Sequence, residues 1–176
     1  RLRRDVAQCG RLHHRTGMDY YFYTKGVLDG IPPFAIGRTA LDAWILYRAR
    51  IRKADLIDAT KVVMDVHQNH DYSHHPDGVE GVWFGPETRV NVALAGGRPF
   101  LFIIKDRTFD LTNEGLKPAR DLWRLWRLLR TAEALWPSMP LPVKLIVKAA
   151  NKLVDISRET ILRLGLKKPY EIFPGR

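Results

Sequence analysis

The stretch Val62–His75, VVMDVHQNHDYSHH, holds four of the six histidines of this 176-residue chain. Its first half reads as a strand: Val62, Met64 and Val66 would point to one side, and Val63, Asp65 and His67 to the other. Its second half is a polar cluster rich in groups that bind metals or move protons. A rigid element ending where such side chains converge is what site chemistry requires. The reading of this stretch decides between an α/β sheet protein and a helical one, and it favours α/β.

Working outward, Asp55 to Thr60 leads into the strand, and His70 to Pro86, with its Pro, Gly, Asp and Ser, is expected to be mostly loop. Glu87–Leu94 should be a short helix stopped at Gly96-Gly97. Pro99–Ile104 reads as a further strand, and Asp106–Leu111 as a loop or edge strand. Upstream, residues 19–24 (Asp-Tyr-Tyr-Phe-Tyr-Thr) suit a short strand ending at Lys25-Gly26. The Asp29-Gly30 turn and the Pro32-Pro33 pair make 25–37 an ordered loop. A helix is expected after Arg38, with Thr39 as N-cap and Asp42 completing a capping box. Its end, with Arg48, Arg50, Arg52 and Lys53, complements the helix dipole.

After residue 116 the texture changes. Pro118 is expected to open a helix with Leu122, Leu125, Trp126 and Leu129 at helical spacing, stopped by Pro137 and Pro140. A second begins near Pro142, with Val143, Ile146, Val147 and Ala150 inside, and Ser157 should cap a last short one through Leu164. Residues 117–176 carry 13 Lys+Arg against 5 Asp+Glu, whereas 1–116 carry 16 against 14, so the net charge of +10 is concentrated at the C-terminal end. That asymmetry suits anionic partners, among them a membrane surface. No nucleic-acid-binding fingerprint accompanies it, so nucleic acid is not the expected partner. One cysteine, Cys9, excludes an internal disulfide framework. No apolar run reaches the roughly 20 residues that span a bilayer, and the N-terminus lacks the apolar core of a signal peptide. A cytoplasmic setting, peripheral to a membrane, is the expectation. The start at Arg1-Leu-Arg-Arg, without methionine, suggests a longer protein.

The histidine spacing fits no zinc pattern, since HExxH is missing and one cysteine cannot build a finger. Asp65 would share a strand side with His67 and could orient it. Alternatively, the histidines fix a long loop by hydrogen bonds. Asp42 is explained by capping alone, Arg38 by loop carbonyls, and Trp44 by core packing.

Several strings taken together, DYYFYTKG, IPPFAIGR with its Asp42/Trp44 helix start, Ile57-Asp-Ala-Thr60 and HQNHDYSHH, resemble a bacterial glycosyltransferase-like family akin to the GT-A nucleotide-diphospho-sugar transferases. The resemblance covers about Leu12 to Gly97. The family pattern has Asn-Trp where this chain has Ala43-Trp44. The Asp-x-Asp pair and the nucleotide-binding half of GT-A enzymes are missing from the 176 residues. What the resemblance implies is therefore the C-terminal, acceptor-side portion of a GT-A-like mixed sheet (1–116), followed by a basic α-helical extension (117–176). It implies a nucleotide-sugar donor, an unknown acceptor and Mn²⁺ or Mg²⁺. By the same resemblance Asp42 is the catalytic base or acceptor anchor and His67 a metal ligand. Arg38, Trp44, His70 and Asp71 are then substrate contacts. The rival expectation is a non-catalytic interaction module whose basic helices bind an anionic surface or partner.

Overall fold

A computed structural model describes residues 2–10, 17–18, 20–67, 72–73 and 75–163. Its regular elements run in the order α1 (Leu2–Cys9), α2 (Leu41–Ile51), β1 (Ile57–Asp58), α3 (Gly78–Phe84), α4 (Pro86–Leu94), β2 (Phe109–Thr112), β3 (Gly115–Pro118), α5 (Leu122–Leu135) and α6 (Leu141–Arg163). Two 3₁₀ turns, Arg98–Phe100 and Ile104–Asp106, lie between α4 and β2. The architecture is mixed α/β with one small mixed sheet of order β1-β2-β3. β1 pairs parallel with β2, Ile57 opposite Phe109, and β2 pairs antiparallel with β3, Phe109 opposite Pro118.

Several expected elements are corrected. Val62–Val66 forms no strand: Val62, Val63, Met64 and Val66 are all exposed, and the strand lies earlier, at Ile57–Asp58. β-branched residues favour strands only where a neighbouring strand and a covering layer accept them, and this segment meets neither. Residues 20–23 carry no strand either, and Asp19 lies outside the described residues. Pro99–Ile104 is not a strand but two 3₁₀ turns joined by coil. The loop expected over 70–86 contains helix α3. Phe109–Thr112, expected as loop or edge, is the central strand. Pro118 ends β3 instead of opening a helix; α5 starts at Leu122 with Asp121 as N-cap, its carboxylate accepting from the Arg124 N–H at 2.8 Å. No separate short helix begins at Ser157, because α6 runs unbroken for 23 residues; Leu164 and Gly165 lie outside the described residues. Val143 and Ile146 face solvent, while Val147 is buried.

Other expectations hold. Gly96 and Gly97, at φ 90° and 91°, stop α4, and at Gly96 a Cβ would also press on the Phe100 ring at 2.9 Å. Both angles are ones that glycine adopts readily. α6 opens with Pro142 in its first turn. Residues 116 and 117, between which the sequence changes texture, both belong to β3 and pair with β2, so the sheet runs across that point.

The core has two centres. One gathers Leu46, Ala49, Leu56, Phe102 and Ala134, with Tyr47 and Phe100 against it. The other gathers Ala40, Trp44 and Ala95, with Phe34 and Leu101. Phe102, at 0% exposure, sits 5.5 Å from the Tyr47 ring and links α2 to α5. Around this core, ion pairs replace missing ladder bonds. Asp106 receives Arg127 at 2.7 Å, fastening α5 to the preceding turn. Arg107 meets Asp110 at 2.7 Å and Asp121 at 2.6 Å, with Asp58 at 3.9 Å. One arginine thus ties β1, β2 and the start of α5 together.

Candidate functional site

The site residues named from sequence fall into three groups. Arg38, Asp42 and Trp44 belong to one unit, the loop 31–40 and the first turn of α2. His67 is exposed in the irregular segment that follows β1. His70 and Asp71 lie outside the described residues.

The loop has a shape imposed from outside. Residue Ala40 is the N-cap of α2, yet it has φ 90° and offers no side-chain cap. A non-glycine residue in that left-handed region carries a cost of about 1–3 kcal/mol, and Ala40 is only 3% exposed, so surrounding contacts must hold it. The expected Thr39–Asp42 capping box is therefore absent. What replaces it is Asn91, on α4 and 0% exposed. Its Oδ1 accepts from the Ala35 N–H at 2.9 Å, and its Nδ2 donates to the Ala35 and Thr39 carbonyls at 2.9 and 3.2 Å. One turn earlier on the same helix, Glu87 receives the Arg38 guanidinium at 2.6 Å. Arg38 also donates to the Gly37 carbonyl at 3.3 Å, the loop-carbonyl role anticipated for it. Helix α4 thus clamps the loop at two points four residues apart, which is the spacing that aligns side chains on one helix face.

Beneath the loop, Trp44 is 6% exposed, with Phe34 at 5.5 Å between ring centroids and the Arg48 guanidinium 5.8 Å from its ring. It is a core anchor first; its burial is what sets the first turn of α2. Arg48 reaches across to the Asp29 carbonyl at 2.6 Å, pinning the earlier half of the loop. Asp42 lies in that first turn, partly exposed, where the helix dipole favours a negative charge. A partly exposed carboxylate and a guanidinium restrained by Glu87 thus lie four positions apart in sequence at the head of α2.

Among the histidines, His75 has a structural job. Its Nδ1 accepts the Asp77 N–H at 3.1 Å, and its ring rests on Gly81, where any Cβ would collide with it. That is the loop-fixing role, and it seats α3. For the implied divalent ion, the described residues contain no group of three or more His, Cys, Asp or Glu placed to hold one. Of the residues named for that ion and its pocket, His67 is described, and His70 and Asp71 are not.

Sequence reasoning missed the residues that organise the region. Asn91 carries no motif; its only signal was a polar residue on what would otherwise be the buried side of a short helix. Asp106, Arg107 and Thr108 were likewise passed over as loop. Burial pushes the Asp106 carboxyl above its ordinary range, against the pull of Arg127. At Asp121 burial acts upward too, but the Arg124 N–H and the Arg107 guanidinium outweigh it and hold the carboxyl below its usual value. These ionic contacts fasten α5 to the sheet and to the preceding turn, so they read as scaffold.

Comparison with protein-family models, curated proteins and solved structures returns no match. No helix among the described residues is long and apolar enough to cross a membrane.

Proposed function

We propose that the chain is the acceptor-side part of a glycosyltransferase-like protein of GT-A character, moving a sugar from a nucleotide-sugar donor to an acceptor hydroxyl. The observation that supports this best is the clamped turn: Arg38 sits in a loop whose conformation is held by Asn91 and Glu87 of α4, and Asp42 lies in the helix turn that follows it. Transfer needs a carboxylate at the attacking hydroxyl and a held cation near developing negative charge. In this reading Asp42 accepts the acceptor proton as the oxygen bonds to the anomeric carbon, and the bond from that carbon to the diphosphate breaks. Arg38 contacts acceptor or phosphate oxygens, with Trp44 beneath supporting the turn. In the same proposal His67 would hold the Mn²⁺ or Mg²⁺ that neutralises the diphosphate, and His70 and Asp71 would line that pocket as substrate contacts. The basic C-terminal helices would set this chemistry against an anionic membrane surface.

The test is calorimetric titration of UDP-, GDP- and dTDP-sugars, with and without Mn²⁺, into the full-length protein. We expect metal-dependent nucleotide binding that is lost in His67→Ala. In the Asp42→Asn variant binding should persist, while transfer falls by about 10²–10⁴-fold. If a folded full-length protein binds no nucleotide-sugar, the transferase reading fails. The non-catalytic interaction module then takes its place.

A further inference from the structure

Helix α6 has two unlike sides. Val147, Asn151 and Asp155, spaced by four, turn toward α5: Val147 is buried, Asn151 donates to the Leu129 carbonyl at 3.3 Å, and Asp155 pairs with Arg130 at 2.8 Å. On the side turned away from α5 run Leu141, Leu145, Leu153 and Ile156, all more than half exposed. Ala149 sits in the same row and is exposed as well. Lys148 and Lys152, both exposed, run along one border of the row, each one position ahead of Ala149 or Leu153. Asp155 is spent on Arg130, so between Leu141 and Ile156 the outward side presents apolar residues edged by lysines.

We infer that this side of α6 is a docking surface for an anionic phospholipid bilayer, with the helix lying in the plane of the interface. At 23 residues and about 1.5 Å per residue, the helix is long enough to lay four apolar side chains along the membrane. Its charges keep it from crossing. An apolar row with a lysine edge is the pattern that buries its aliphatic side among acyl chains and its ammonium groups among phosphates. Charge complementarity favours an anionic bilayer as occupant, because exposed Lys148 and Lys152 edge the exposed apolar row. The inference rests on the membrane part of the reading above and not on sugar transfer.

The test is co-sedimentation of the full-length protein with vesicles of phosphatidylcholine, alone or with phosphatidylglycerol added. Retention is expected only with phosphatidylglycerol, and it should weaken as salt rises. Lys148→Gln together with Lys152→Gln should lower partitioning roughly 25-fold, at about fivefold per lysine. Leu145→Asp, at an exposed position that leaves the fold intact by circular dichroism, should abolish retention. No retention on phosphatidylglycerol vesicles would overturn membrane docking altogether. Retention unchanged in Leu145→Asp would overturn the assignment to this side of α6. A light-scattering mass of two copies that Leu145→Asp reduces to one would reassign the surface to self-association.

Discussion

Residues 62–66 and residues 99–108 invert each other's appearance. The first is a run of valines and methionine that looks like core, and every apolar side chain in it is exposed. The second is broken by a proline, a lysine and three charged or hydroxyl residues, yet it contains Phe102 at 0% exposure and buries Asp106, Arg107 and Thr108. The difference lies in what each segment can reach. Residues 99–108 thread between α2 and α5, so irregular backbone there is satisfied by side chains: the Ile103 N–H by Asp106 at 2.7 Å and the Leu56 N–H by Thr108 at 2.9 Å. Residues 62–66 follow a two-residue strand, and no ladder continues alongside them. Burial follows the availability of partners, and apolar content alone does not supply them.

This contrast can be broken most directly at Phe102. Phe102→Ala should destabilise the protein by about 3–5 kcal/mol, read as a drop in urea midpoint without change in m-value. A smaller loss would mean that the irregular segment collapses into the cavity and is less constrained than its burial indicates. A second expectation concerns the clamp. Asn91→Ala strips three hydrogen bonds from the loop and should cost about 2–3 kcal/mol. Hydrogen exchange at the Ala35 amide should rise with it, and an unchanged exchange rate there would show that the loop holds its shape without α4. The smallest effect belongs to the exposed run: Met64→Gln should change stability by less than about 0.5 kcal/mol. A loss of several times that would mean the segment is covered in solution.

Much of the α/β character and most helices were legible because they announce themselves locally. The α4 helix ends at a glycine pair and α6 opens with a proline in its first turn, whereas the Asp121 cap of α5 was passed over in favour of Pro118. The sheet was not legible in detail. β1 has two residues, and β3 ends in a proline, so neither offers a period to read. Their existence depends on Arg107 and on the Thr108 hydroxyl, which donates to the Leu56 carbonyl at 3.1 Å, a partner 52 positions distant. The candidate site divides in the same way. Arg38, Asp42 and Trp44 were visible as a motif at the head of a helix. The capping box proposed for them was wrong because a long-range amide, Asn91, took over the turn and let Ala40 adopt a left-handed conformation.

That substitution of a distant amide for a local cap also fixes an order of events. Asn91 lies 56 positions from Ala35, so closing that loop must precede the gain from its hydrogen bonds. α2 can begin to form as soon as its own residues are free. The turn carrying Arg38 and Asp42 acquires its final shape only once α4 has been made and has docked. During synthesis this turn therefore matures late, and any recognition that depends on it reports completion of the surrounding fold.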